Sequence, residues 1–225
     1  MVTPQLHIIM PVKDSWETTR AAIQTILNNG YTLTVYDDYS LPENAASLAT
    51  FAQQAGFELI PLQQLTDHPS PNYHTVLIHA RQQALQLHQD LCIIESDVFI
   101  QPHTLPRMVQ AVSDGVGMVA AITINEQGQV NYPYSENRKH FSFCCTILTQ
   151  SLLQALDLEQ ALDPTKNWYD VTISHLCDEK GLQRILQTDN TVLHRPHSSR
   201  PWKQLKYQHP FRYYWNKFIH HQDKI

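Results

Sequence analysis

Long apolar runs are missing from this sequence. Its 225 residues are 42% apolar, yet no stretch approaches the roughly 20 residues that a membrane-crossing helix needs. The opening residues, MVTPQLHII, lack the basic stretch ahead of an apolar one that marks a secretory leader, so a soluble chain that stays in the cytoplasm is expected. Cysteine is sparse: the four, at 92, 144, 145 and 177, show no CxxC spacing, and three sit in apolar runs. That reads as buried thiols in preference to metal ligands or disulfides. Basic residues are scarce over most of the chain. Residues 1–194 carry 9 Lys and Arg against 20 Asp and Glu, and a body so acidic is a poor nucleic-acid binder, since neutralising phosphate needs basic surface. Internal repeats and low-complexity segments are also absent, which leaves one domain and a tail.

What is present is a strict alternation of patterns. LHIIMPV (6–12) is a short apolar run, and Trp16, Thr19, Ile23, Ile26 and Leu27 then recur at helical spacing until NNG interrupts. YTLTVYDD (31–38) reads as a strand, and 41–56 as a helix with proline near its start and glycine at its end. A strand at 57–62, a helix at 72–88, a strand ending in IIESD, a helix over 103–112 and a strand at 116–124 follow. The second half gives a strand at 141–148, a helix over 149–156, a helix capped by Asn167 and closed by Gly181, and short strands at 182–187 and 191–194. Such a rhythm predicts an α/β fold with a mostly parallel sheet joined by right-handed crossovers and flanked by helices.

Ligands of open α/β sheets bind at the carboxyl ends of the strands, and acids collect there. Asp37 and Asp38 end the second strand, while Glu95, Ser96 and Asp97 end the fourth. An acid-x-acid turn presents carboxylates to a divalent cation of the Mg²⁺ or Mn²⁺ type; the plainer alternative is a solvated strand-end turn. Asp37-Asp38 equally suits an Asx-turn leading to Ser40. Two such ends on one edge favour a ligand, because like charges that close need a cation or hydrogen-bond donors. Asp170 falls in the first turn of its helix, where the helix dipole alone would account for an acid. His194 closes an apolar run and is placed to face inward, with His197 just beyond.

Together these residues resemble the GT-A glycosyltransferases of family 2 over most of residues 6–197. IIMPVKD is similar to that family's opening strand, TVYDDYS to its base-contacting segment, and HARQQALQLHQDLCIIESDVFIQPHTL to its Ala-Arg-Asn helix and DxD strand end. NWYDVTISHLCDEKGLQRI resembles the helix that carries the catalytic Asp eleven positions before a Gly, and TVLHRPHSS the strand that delivers a metal-binding histidine. Departures are Gln82 for the usual Asn, Glu95 for the first Asp of DxD, and Tyr169 where an acid often precedes the catalytic Asp.

The resemblance implies a Rossmann-like GT-A domain over 1–197, with a nucleotide-binding part at about 1–100 and an acceptor part at about 101–197, and a helical tail at 198–225. It implies inverting transfer from a nucleoside-diphosphate sugar, UDP or dTDP favoured, to a saccharide or lipid-linked acceptor. Asp97 and His194 would hold Mn²⁺ or Mg²⁺, and Asp170 would act as base. Pro11, Asp14, Asp37, Asp38, Arg81, Glu95 and Ser96 would meet the donor nucleotide, with Asp37 or Asp38 on the base. Lys13 and Arg81 either counter phosphate charge or pair with neighbouring acids.

The tail differs from everything before it. Residues 195–225 hold 7 Lys and Arg against 1 acid, and Phe211, Tyr214 or Trp215, and Phe218 recur at helical spacing. Rings beside basic residues suit the inner membrane surface; packing on the domain is the alternative. HPFRYYWNK also resembles a segment of rhamnosyltransferase-like members. Two rival readings remain. A nucleotidyltransferase would need a glycine-rich basic loop, and PVKDSWETTR has no glycine. A non-catalytic nucleotide-sugar-binding subunit would have less reason to keep Asp97 and Asp170.

Overall fold

The computed structural model describes residues 6–130, 140–166, 168–195 and 209–220. Among the described residues eight strands form one sheet in the order β3-β2-β1-β4-β7-β6-β8-β5. In sequence they are β1 Leu6–Val12, β2 Thr34–Asp37, β3 Glu58–Pro61, β4 Asp90–Ile94, β5 Val98–Phe99, β6 Val116–Ile124, β7 Cys145–Leu148 and β8 Gln183–His194. Four neighbouring pairs are parallel and three antiparallel, the mixed, mostly parallel α/β sheet that the alternation predicts. The helices are α1 Trp16–Asn28, α2 Pro42–Ala55, α3 Tyr73–Gln86, α4 Thr104–Gln110, α5 Gln150–Ala155, α6 Leu158–Ala161 and α7 Tyr169–Glu179, with a C-terminal helix at Pro210–His220. None of the helices among the described residues is long and apolar enough to cross a membrane.

The central strands are apolar on both faces, as strands covered on both sides must be. Side chains alternate across a strand, so Ile8 and Met10 of β1, with Cys92 and Ile94 of β4, join α1, α2 and α4 in one core. Ile9, with Leu91 and Ile93, joins α3, α5 and α7 in the other. Each such side chain contributes roughly 1.5–3 kcal/mol on full burial, so the two cores hold the sheet between two helical layers. Gly117 of β6 is one place where absence of a side chain matters. A Cβ there would meet Cys177 Sγ of α7 at 2.5 Å and Leu182 Cβ at 2.9 Å, so glycine lets α7 seat closely on the sheet.

Several boundaries differ from the sequence reading. β2 begins at Thr34, not 31, because Asn29, Gly30 and Tyr31 still donate their backbone N–H groups to the Ile26 and Leu27 carbonyls at the end of α1. The two short strands expected after Gly181 are one strand, β8, with a register shift where Gln187 and Thr191 pair with consecutive residues of β6. Its extra residues are pinned to α4: Asn190 Nδ2 donates to the Thr104 carbonyl at 3.0 Å, and Arg107 Nη1 to the Asp189 carbonyl at 2.9 Å. The expected cap Asn167 and His197 lie outside the described residues; Gly181, at φ 71°, does follow the end of α7.

Topology fixes what meets at the carboxyl edge. β1, β2, β3 and β4 all end there, and β7, antiparallel to β4, begins there just after Cys144. β6 and β8 run parallel to one another and antiparallel to β7, so β8 delivers His194 to the same edge. A tight turn at Gly181 and Leu182 joins α7 to the far end of β8, which returns the first turn of α7, and with it Asp170, to that edge.

Candidate active site

The fourth strand ends in a closed turn. Val98 N donates to the Glu95 carbonyl at 3.0 Å, and Glu95 N to the Cys144 carbonyl at 3.0 Å. This bends the chain so that β5 can pair antiparallel with the end of β8, Val98 opposite His194. Arg195 N donates to the Asp97 carbonyl at 2.9 Å and locks the register. The outcome is that His194 Nε2 stands 3.5 Å from Asp97 Oδ1, with Asp97 1% and His194 7% exposed. A buried carboxylate is costly unless it is paired or holds a cation.

Glu95, Cys144 and His194 bring one ligand atom each to within 4.8 Å of one another. Cys144 Sγ donates to Glu95 Oε2 at 3.5 Å. Burial, with the Glu95 carboxylate beside it, pushes the Cys144 thiol well above its ordinary pKa, so in this arrangement it is an S–H donor. The donor set fits a divalent cation: two donors about 2.1 Å from one ion lie roughly 3–3.5 Å apart, the spacing Asp97 and His194 already hold. A carboxylate with an imidazole suits Mn²⁺ better than Mg²⁺, which prefers oxygen alone. Ser96, buried between the two acids, shapes the turn.

The second strand end is built differently. Asp38 accepts from Ser70 Oγ at 2.8 Å, Asn72 N at 3.0 Å and Asn72 Nδ2 at 2.8 Å. Asp14 Oδ1 accepts from Leu41 N at 2.7 Å and Asn44 Nδ2 at 3.2 Å, which ties the end of β1 to the start of α2. Asp37, buried, accepts from Ser40 N at 3.2 Å. Lys13 Nζ donates to the Asp38 and Tyr39 carbonyls, both at 3.1 Å. Pro11 lies beside Tyr36 in the β1–β2 register.

Arg81 lies two turns into α3 and donates from Nε to the Leu153 carbonyl of α5 at 3.0 Å, so it bridges two helices. Both cations expected either to counter phosphate or to pair with acids donate to backbone carbonyls.

Asp170, half-buried, accepts from its neighbour Val171 N at 2.9 Å through Oδ1. Ring contacts link its turn to the cation cluster. Tyr169 stacks on Tyr73 at 6.2 Å, and Tyr73 meets Phe143 at 6.4 Å, next to Cys144. Sequence reasoning missed this aromatic bridge and the approach of Cys144. The first needed the α3–α7 contact; the second needed the antiparallel placement of β7, which CC in an apolar run does not disclose.

Comparison with known proteins extends this geometry. The Glycosyl transferase family 2 profile matches residues 7–159, short of Asp170 and His194. No curated protein matches the chain. Among solved structures, a mannosyltransferase from Pyrobaculum calidifontis in complex with GDP-Man and Mn²⁺ aligns at TM-score 0.63 and 14% identity, over 97% of this chain and 65% of its own. TarS of S. aureus aligns at TM-score 0.62 and 13% identity, over 90% and 38%. Glucosyl-3-phosphoglycerate synthase from Mycobacterium tuberculosis, in complex with Mn²⁺, UDP and glucosyl-3-phosphoglycerate, aligns at 0.55 and 18% identity, over 86% and 73%. The same enzyme with Mg²⁺ and UDP aligns at 0.57 and 20%, over 90% and 74%. This chain thus spans about 65% of the length of the mannosyltransferase.

Proposed function

Because the chain belongs to glycosyl transferase family 2, we propose that it moves a sugar from a nucleoside-diphosphate sugar to a hydroxyl of a saccharide or lipid-linked saccharide, with inversion, in cell-surface polysaccharide synthesis. The observation that carries this reading is the buried pairing of Asp97 with His194 at the carboxyl edge. Relatives of the same fold bind GDP-Man with Mn²⁺ and UDP with Mn²⁺ or Mg²⁺, and a UDP or dTDP donor is the one we assign here.

Asp97 and His194 would hold the cation, which offsets charge on the departing diphosphate. Asp170 takes the proton from the acceptor hydroxyl as that oxygen attacks the anomeric carbon from the face opposite the leaving group; a base so placed contributes roughly 10²–10⁴-fold. Of the two acids after β2, Asp37 keeps more capacity to accept from the nucleotide base, since a carboxylate offers about four acceptor sites and Asp38 already accepts three bonds. Asp14 and Pro11 shape that end of the site, Glu95 and Ser96 the other. Arg81 sits in the helix contact and is left out of the donor set.

The C-terminal helix gives the proposal a location. Phe211, Tyr214, Trp215 and Phe218 share one exposed face, and Tyr213 on the opposite face is buried. In a segment with 7 basic residues and 1 acid, that face fits an anionic membrane surface. The rhamnosyltransferase-like branch rests on this tail alone, since the family match ends at residue 159.

The test is a thermal-shift panel of UDP-, dTDP-, GDP- and CDP-sugars with and without Mn²⁺, on wild type and Asp97→Ala. A ligand that binds only the native state raises Tm by mass action, about 2.7 kcal/mol at a concentration 100 times Kd. A Mn²⁺-dependent rise with one nucleotide class, absent in Asp97→Ala, is expected. No rise with any donor rejects the reading.

A further inference from the structure

The cation cluster contains one donor that a carboxylate site for Mg²⁺ does not use. Cys144 is 5% exposed, and its Sγ lies within 4.8 Å of a ligand atom on both Glu95 and His194. Two features aim it there. The Glu95 N–H bond to the Cys144 carbonyl holds its backbone against the acidic turn, and Ser142 Oγ stands 3.1 Å from Sγ on its other side. Its neighbour Cys145, the first residue of β7, contacts Met108 Sδ at 3.7 Å instead. Of two adjacent thiols, one therefore meets the acidic turn and the other a core methionine.

Sulfur changes what such a cluster selects. Mg²⁺ and Mn²⁺ seek oxygen, whereas thiolate with imidazole favours Zn²⁺ and its neighbours, and the Irving–Williams order also ranks Zn²⁺ and Co²⁺ above Mn²⁺. Glu95, Cys144 and His194, with Asp97 Oδ1 3.5 Å from the imidazole, supply the carboxylate, sulfur and nitrogen types that four-coordinate zinc sites use. We propose that Glu95, Cys144 and His194, with Asp97 beside the imidazole, bind a thiophilic divalent cation of the zinc and cobalt class, and that Cys144 is the residue that sets this selectivity. The proposal rests on the reading that Asp97 and His194 hold a divalent ion, and adds the class of ion that competes there. On binding, the S–H bond of Cys144 breaks as the sulfur–metal bond forms, and the proton leaves to solvent; no electron transfer is involved. A cation at this position supplies the charge that deprotonates a coordinating thiol.

The consequence for the reaction is displacement. Zinc or cobalt entering through Cys144 would remove Mn²⁺ from Asp97 and His194, so the Mn²⁺-dependent donor complex forms only where thiophilic ions are scarce. A serine at 144 keeps a hydroxyl partner in Ser142 but gives up the soft ligand. The same site then reverts to the preference of its oxygen and imidazole donors.

The experiment titrates Co²⁺ and, separately, Mn²⁺ into the full chain without nucleotide, followed by absorbance and calorimetry. Wild type is expected to develop the thiolate-to-cobalt charge-transfer band in the near ultraviolet. Cys144→Ser and Cys144→Ala are expected to lose it, while Cys177→Ser, altered on α7 away from the cluster, retains it. Cobalt affinity should fall in both Cys144 variants by no less than the roughly 10–100-fold that even an outer partner of a metal ligand is worth, with Mn²⁺ affinity little changed. Cobalt that binds wild type without the band overturns the role of Cys144 and leaves the Asp97–His194 reading intact. A band that survives in Cys144→Ser assigns the sulfur to another cysteine and also overturns the proposal. Failure of both cobalt and manganese to bind wild type overturns the underlying site as well.

Discussion

Two acidic strand ends share one edge of this sheet, and their carboxylates are engaged in opposite ways. After β2, Asp38 holds Ser70 and both nitrogens of Asn72, and Asp14 holds the entry to α2. These acids satisfy donors of the loops around them, which is the work of a joint. After β4, Asp97 faces a histidine from a strand almost 100 residues away, and Glu95 faces a cysteine. Those partners are themselves metal-ligand types. Identical residue chemistry thus meets the loop scaffold at one strand end and metal-ligand types at the other. Count of acids does not separate the two; the nature of what faces them does.

The sharpest way to test the contrast is to neutralise an acid on the ligand side without changing its shape. Asp170→Asn retains an oxygen for the Val171 N–H and loses only the capacity to take a proton. Sugar transfer should fall by roughly 10²–10⁴-fold, with donor affinity by calorimetry unchanged. A wild-type rate would remove Asp170 from the mechanism, and a parallel loss of donor affinity would move it to the binding side of the site.

The opposite result is expected on the scaffold side. Asp38→Ala removes the acceptor of the Ser70 hydroxyl, of the Asn72 N–H and of one Asn72 amide hydrogen, while that amide keeps the His68 carbonyl, and a buried donor so orphaned costs about 1–3 kcal/mol. The measurable effect is a lower Tm in the absence of any ligand. Donor affinity should change less than in Asp97→Ala. An unchanged Tm together with lost donor binding would mean that both ends serve the ligand, and the contrast drawn here would fail.

Much of this was legible in the sequence because it follows from period and punctuation. The strands and helices through β6 follow the apolar alternation, and the topology of a parallel sheet then puts Asp37, Asp38, Glu95 and Asp97 on one edge without further information. His194 was legible for the same reason, as the last residue of an apolar run. What the sequence withheld depends on long-range partners. Whether Asp38 serves a loop or a ligand is decided by Ser70 and Asn72, over 30 positions away. Arg81 looked like a counter-charge for phosphate or a partner of neighbouring acids, and the α3–α5 contact gives its Nε a backbone carbonyl. Cys144 looked like core because burial and ligation have the same apolar signature. β5, only two residues long, has no period to detect.

The two faces of the C-terminal helix repeat the contrast on a smaller scale. Tyr213 is buried at 4%, whereas Phe211 is 82% and Phe218 72% exposed, with Phe211 stacked on Trp215 at 6.4 Å. One face has an occupant within the chain; for the other we assign a lipid surface. Full burial of such a ring is worth about 1.5–3 kcal/mol, and partial insertion at the headgroup level gives less, so Phe218→Ser with Trp215→Ser should lower binding to anionic vesicles severalfold without lowering Tm. Tyr213→Ala should do the reverse, since it removes packing and leaves the outward rings in place. Salt should weaken the vesicle binding, because the attraction of the basic segment falls off within a Debye length of about 8 Å at physiological ionic strength. If the double variant bound anionic vesicles as well as wild type, or lost stability as Tyr213→Ala does, the exposed rings would belong to a protein contact and the membrane assignment would be wrong.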